Sequence, residues 1–233
     1  VIAAAFAIMT IVFARHITKP LRELTNAAQQ INEGNYNVKL DYKGNDEIGT
    51  LTTTVNRLIE HLDGYISDLN SLAYADALTS VRNKGAYDLF MEQIQKRINE
   101  GEDTKFAIAI FDCDDLKHIN DTYGHEKGDV YLKNSCHLIC RVFSKSPVFR
   151  LGGDEFAAIL QGEDYLNREK LKKYFIEKSA EICAFAKEPW EKISVAIGLA
   201  DYSYAEDKDV HSVARRADHL MYEDKHARKQ NDN

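Results

Sequence analysis

The chain has 233 residues, 44% hydrophobic and 29% charged, enough for one domain of about 150 residues with a real core plus a smaller module. A net charge of −7 excludes a general binder of nucleic-acid polymers, whose footprint would be a basic stripe. Any bound nucleotide is expected to be small and escorted by metal. At the N-terminus, Val1 to Ala14 carries no charge and then meets Arg15 and His16, with Lys19 and Arg22 close behind. A bilayer span takes about 20 apolar residues, so residues 1–14 read as the C-terminal part of a transmembrane helix, with a sensor region expected ahead of it. The basic residues place the rest of the chain on the cytoplasmic side. The alternatives are a buried soluble helix and a signal-peptide core, although the latter would carry its basic cluster before the apolar run.

Next, Ile17, Leu21, Leu24, Ala28 and Ile31 recur at spacings of four and three, with Pro20 in the opening turn, where a missing N–H costs little. Gly34 ends that helix. Tyr36, Val38 and Leu40 alternate through an extended connector, and Asp46-Glu47-Ile48-Gly49 opens a second helix. This helix keeps a heptad seam through Ile48, Leu51, Val55, Leu58, Leu62, Tyr65, Leu69 and Leu72. Its length favours a partner chain, the alternative being a helical hairpin packed on the rest of its own chain. Gly64 beside the seam is a soft point.

After Ser71 the pattern predicts a helix near 83–99, strand 106–112, a short helix near 115–121, helix 129–143, hairpin 147–161, helix near 165–186, strand 193–200 and helix 209–228. This order describes an α/β domain with a largely antiparallel sheet. Two acidic turns stand out. The apolar run Phe106 to Phe111 ends in Asp112-Cys113-Asp114-Asp115, and Gly152-Gly153-Asp154-Glu155-Phe156 sits at a hairpin tip. The glycines permit a tight reversal and close approach of a ligand. Each turn alone could be a solvated acidic loop. In one sheet they would gather Asp112, Asp154 and Glu155 around hard cations, for which Mg²⁺ is the natural choice. The four cysteines form no disulfide or zinc pattern, Cys136 and Cys140 reading as buried helix thiols in a reducing compartment.

The run from Asp112 through Lys117, Asn120, His125 and Asp129, followed by Arg150-Leu151-Gly152-Gly153-Asp154-Glu155-Phe156, resembles the GGDEF family of diguanylate cyclases. The resemblance spans about Asp76 to Lys229. It takes in the entry motif Asp76 to Asn83, the strand Ile193 to Ala200 and the last helix with Ala217, Asp218 and Lys225. The two helices and connector resemble a HAMP domain. These resemblances imply a palm-like nucleotidyl-cyclase fold preceded by an all-α HAMP coiled-coil module. The division is then 1–14 membrane helix, 15–66 HAMP, 67–82 signalling helix and linker turn, and 83–233 cyclase domain.

The implied activity is condensation of two GTP into cyclic di-GMP and two pyrophosphates by a homodimer joined through the HAMP and signalling helices. The chain would be tethered in a bacterial inner membrane with the cyclase domain cytoplasmic. The rival is an inactive module that binds GTP or cyclic di-GMP. The resemblance implies two Mg²⁺ per site, or Mn²⁺ in its place, held by Asp112, the Cys113 carbonyl, Asp154 and Glu155. Asp154 would also be the general base. Lys117 would neutralise charge on the transferring phosphate, on spacing alone being no more than a surface lysine. Asn120 and Asp129 fit the guanine edge, with roles as helix end and N-cap open beside this. His125 is a substrate-side residue or a brace of its loop. Lys225 and Lys229, at i and i+4, would reach the β- and γ-phosphates. Where the family commonly has Gly then Arg, this chain has Arg228 and Lys229. It also has Ser80 and Lys84 for the usual Gly and Arg of the entry motif. Phe143-Ser144-Lys145-Ser146 occupies the register of the inhibitory Arg-x-x-Asp site, which predicts weak or absent feedback there.

Overall fold

The computed structural model describes residues 2–102 and 104–231, with the side chains of Asp68, Asn70, Ser71, Lys229 and Asn231 outside that description. The chain divides after Leu72 into two units. In the first, α1 (Ile2–Phe13) passes through a π-helical turn at Ala14–Thr18 into α2 (Lys19–Asn32). The combined stretch Ile2–Asn32 is long and apolar enough, by length and composition, to cross a membrane. Pro20 sits in the first turn of α2, and Gly34, at φ +87°, stops it.

The connector to α3 (Glu47–Tyr74) is held by side chains and forms no strand. Asn56 accepts from the Leu40 N–H at 3.0 Å and donates to its carbonyl at 2.9 Å. Asp46 caps α3 by accepting from the Gly49 N–H at 2.9 Å, and its other oxygen takes the Tyr42 hydroxyl at 2.7 Å. The hydrogen bond from Tyr42, then that from Gly49, holds the Asp46 carboxyl below its usual range. Ala27, Leu40 and Ile59 are buried in this unit, whereas the seam residues Leu51, Leu58, Leu62, Tyr65, Leu69 and Leu72 remain exposed.

The second unit starts at Ala73, in the last turn of α3, and continues through the turn at Asp76 to Asn83 into α4 (Lys84–Asn99). Asn83 caps this helix, accepting from the Ala86 N–H at 3.1 Å. Then follow β1 (Ala107–Cys113), α5 (Leu116–Tyr123), α6 (His125–Val142), β2 (Val148–Gly152) and β3 (Glu155–Leu160). The chain finishes with α7 (Gly162–Leu166), α8 (Arg168–Phe185), a 3₁₀ turn at Pro189–Glu191, β4 (Val195–Asp201) and α9 (Val210–Asn231). The sheet order is β2-β3-β1-β4, and every neighbouring pair is antiparallel. This is the expected domain of helices on a largely antiparallel sheet. β1 lies inside the sheet with all its residues buried, so it reads as a continuous apolar run instead of alternating.

Both sheet faces are covered. Tyr87, Met91 and Ile94 of α4 and Val213, Ala217 and Met221 of α9 pack on Ile108, Ile110 and Ile159. On the opposite face, Ile139 and Val142 of α6 and Phe175 of α8 pack on Ala109, Phe111 and Phe156. There Phe111 meets Phe143 and Phe175 edge-on at 5.5 and 5.3 Å between ring centres.

Two predicted boundaries move. The helix expected at 129–143 begins at His125, because Gly124 at φ +85° turns the chain directly from α5 into α6. Asp129 therefore stands inside α6 and is not its N-cap. The helix expected at 165–186 is two helices meeting at Asn167.

Candidate active site

Strand register builds the site. Asp112, the penultimate residue of β1, lies directly opposite Glu155, the first residue of β3. The β2–β3 reversal runs through Gly153 and Asp154, with Gly153 at φ +48° and open space where a side chain would stand. The Cys113 N–H donates to the Asp154 carbonyl at 3.0 Å, stitching the tip to the end of β1. Asp112, Cys113, Asp154 and Glu155 are thereby neighbours through backbone pairing alone.

Their electrostatics reflect that crowding. Burial, then the charges of Asp112, Asp154 and Asp218, raises the Glu155 carboxyl above its usual pKa. Asp112 is 8% exposed and takes the Lys225 ammonium on Oδ1 at 2.5 Å. Burial works against the Lys225 charge, but the hydrogen bond to Asp112 and the charges of Asp112, Asp114 and Asp154 outweigh it and raise its pKa. Lys225 reaches the strand because α9 lies flush on β4. At Gly198 an added Cβ would stand 1.9 Å from the Ala217 carbonyl oxygen.

Among the described residues no three His, Cys, Asp or Glu side chains already stand as a finished metal-ligand set. What the register supplies is a field of hard carboxylate oxygens whose mutual repulsion a cation relieves, with an ammonium already on one of them. In donor type and charge this fits Mg²⁺. The Cys113 side chain is wholly buried in the core cluster with Phe111 and Tyr131, away from that field, and burial pushes its thiol up to about 12.

The remaining predicted residues occupy the α5–α6 corner. Asn120 is half-buried, its Oδ1 2.0 Å from where a Cβ on Gly128 would stand, so its amide rests on the bare backbone just before Asp129. Asp129 is exposed, as is His125 at the head of α6. Lys117 is exposed in the first turn of α5, which Asp115 enters at φ +58°. Lys229 lies on α9, but its side chain is outside the described residues.

Three side chains that sequence reasoning assigned no role join the site. Asp218 faces Glu155 electrostatically. Arg150 donates to the Gly153 carbonyl at 3.1 and 2.6 Å and to Asp76 Oδ1 at 3.1 Å, so one guanidinium clamps the hairpin tip to the entry turn. Asp114 is buried beside Ser194 and Arg228. The available signal was the placement of Arg150 and Asp114 within the two acidic motifs themselves.

The inhibitory-site register is filled differently. Phe143 is wholly buried, and the Ser146 hydroxyl donates to buried Asp164 at 2.7 Å.

Residues 73–231 match the family model for the diguanylate cyclase GGDEF domain. The chain belongs to the GGDEF family. Residues 12–64 match the HAMP domain model. The GGDEF chain is 31% identical over 168 residues to MucR of Pseudomonas aeruginosa, a bifunctional diguanylate cyclase/cyclic di-GMP phosphodiesterase, covering 71% of this chain and 24% of that one. It is 29% identical over 150 residues to an uncharacterised membrane protein of Staphylococcus haemolyticus, covering 63% of this chain and 42% of the relative. It thus spans less than half the length of either relative. Among solved structures it resembles the coiled coil and GGDEF domain of DgcB from Caulobacter crescentus, a complex with c-di-GMP, at TM-score 0.62 and 25% identity. That likeness covers 78% of this chain and 96% of that one.

Proposed function

We propose that this GGDEF protein is an active, membrane-tethered diguanylate cyclase, working as a homodimer and joining two GTP into cyclic di-GMP with release of two pyrophosphates. The observation that carries the reading is the register pairing of Asp112 with Glu155, which sets the hairpin acids against the end of β1 beneath Lys225. The excess of carboxylates over the single Lys225 ammonium suits a site that takes divalent cations with a triphosphate.

Each 3′-hydroxyl attacks the α-phosphorus of the other nucleotide. One P–O bond forms, the bond to pyrophosphate breaks, and the hydroxyl proton passes to the Asp154 carboxylate. Mg²⁺ ions, two per site and held by Asp112, the Cys113 carbonyl, Asp154 and Glu155, would lower the hydroxyl pKa and screen the triphosphate when bound. Lys117, and Lys225 with Lys229, supply positive charge to the phosphates. Asn120 and Asp129 pair with the guanine edge, which excludes adenine because its wrong donors leave both groups unpaired. The apolar stretch before Arg15, His16, Lys19 and Arg22 supports a membrane segment with the cyclase on the cytoplasmic side. The division into membrane helix, HAMP module, signalling helix and cyclase domain belongs to the same reading, as does weak or absent feedback through the Phe143–Ser146 register.

The test is incubation of the purified chain with GTP and Mg²⁺, followed by separation of cyclic dinucleotide and a pyrophosphate assay. Turnover that Asp154→Ala abolishes, with the fold retained, supports the cyclase. GTP or cyclic di-GMP binding without turnover in the native chain establishes the effector instead.

A further inference from the structure

Arg228 stands where the family commonly has glycine, and its guanidinium turns inward. Nη1 lies 3.6 Å from Asp114 Oδ2 and 3.5 Å from the Ser194 hydroxyl, and Nε lies 3.2 Å from Asp224 Oδ2 one turn earlier on α9. Asp114 comes directly after β1, two residues beyond Asp112. It is 7% exposed, its Oδ2 accepts the Ser194 hydroxyl at 2.8 Å, and its Oδ1 is buried with no hydrogen-bond partner.

A carboxylate so placed needs a neighbouring positive charge, and α9 offers two. Arg228 stands within ion-pair reach of Asp114 Oδ2, and Lys225 lies one turn earlier on the same helix at the end of the same strand. Lys225, however, is already hydrogen-bonded to Asp112. Without Arg228, two buried carboxylates would compete for a single lysine, and an unpaired buried charge is among the costliest defects a site can hold.

We infer that Arg228 is a positioning residue whose guanidinium neutralises Asp114 and so reserves Lys225 for Asp112 and the nucleotide phosphates. This rests on the cyclase reading of the site. It gives the departure from the family pattern a function: the arginine is a half-buried counter-ion for the β1 end and not a second phosphate contact. The brace has a fixed base, because Asp224 also accepts the Ile197 N–H of edge strand β4 at 3.0 Å, anchoring this turn of α9 to the sheet.

The experiment is a double-mutant cycle between Arg228→Gln and Asp114→Asn in the full chain, in detergent. Glutamine keeps the alkyl stem and removes only the charge. The readout is calorimetric binding of 3′-deoxy-GTP with Mg²⁺, a nucleotide lacking the attacking hydroxyl. Arg228→Gln is expected to weaken binding about 10-fold, and the double variant to return to within about threefold of Asp114→Asn alone. Arg228→Lys, which restores a charge, should recover most of the loss.

Multiplicative effects of the two substitutions would overturn the inference. So would Arg228→Lys binding as poorly as Arg228→Gln, since the lost charge would then not be the cause. Thermal midpoints of all variants separate loss of fold from loss of positioning. If the native chain binds 3′-deoxy-GTP but makes no cyclic dinucleotide from GTP, the cyclase reading fails while the cycle still reports on Arg228.

Discussion

Ser80 shows how much a single backbone angle matters. It adopts φ +61° in the entry turn, with its N–H on the Asp76 carbonyl at 2.9 Å, in a left-handed region that costs a residue with a Cβ about 1 kcal/mol relative to glycine. Ser80→Gly is therefore expected to raise stability by about 0.5–1 kcal/mol despite the added freedom of the unfolded chain. Thermal melting checks it, and a lowered midpoint would show that the hydroxyl contributes something the turn geometry does not. Asp76 in the same turn carries more. Burial opposes its charge, but bonds from the Thr79 hydroxyl and N–H and from Arg150 outweigh it, and its pKa is lowered. A carboxyl lowered on folding contributes stability that is full above its unfolded pKa and is lost as pH falls through the folded one. Asp76→Asn should accordingly cost about 1–3 kcal/mol at neutral pH, and the gap between variant and native chain should close as the buffer is taken below the ordinary carboxylate range. A gap independent of pH would remove the charge from the explanation.

At the scale of elements, the fit of α9 on β4 governs the chemistry from a distance. An alanine at Gly198 would drive its Cβ into the Ala217 carbonyl at 1.9 Å and the Met221 nitrogen at 2.2 Å, both backbone atoms of a helix that cannot yield locally. Gly198→Ala is expected to cost about 2–3 kcal/mol and to weaken GTP binding, because Lys225 rides on the displaced helix. Unchanged affinity would mean that α9 adjusts without moving its lysine. This dependence also explains what the sequence could and could not reveal. β1 was legible because a strand buried on both faces leaves an unbroken apolar run, and the hairpin because Gly152 and Gly153 announce a reversal between two such runs. The early start of α6 was hidden because Gly124 opens it without a Ser, Thr, Asp or Asn side chain making a cap. The pairing of Lys225 with Asp112 joins residues 113 positions apart, and neither periodicity nor spacing encodes such a contact. The motif pointed to both residues, but only the packing of α9 at Gly198 explains why they meet. The inward turn of Arg228 was equally invisible, because its partner Asp114 looks like one more acid in a solvated turn until the burial of the β1 end is known.

For the whole molecule, the exposed seam of α3 is the decisive feature. Leu58, Leu62, Tyr65, Leu69 and Leu72 are 57%, 41%, 67%, 65% and 81% exposed in the single chain, a heptad-spaced apolar stripe of the kind that a second parallel helix covers. The proposed chemistry requires such a partner independently, since each nucleotide is attacked by the hydroxyl of another and one protomer presents one set of acids. Dimerisation and turnover should therefore fail together while binding of a single nucleotide survives. Leu58→Glu with Leu62→Glu sets like charges on adjacent turns of both helices. We expect sedimentation to report monomers, turnover at fixed GTP to fall at least about 10-fold, and 3′-deoxy-GTP affinity per protomer to change by less than about threefold. Raising protein concentration should restore part of the rate, because a weakened dimer is recovered by mass action. A monomer that retains the native rate would separate the coiled coil from the chemistry and leave α3 as a tether alone.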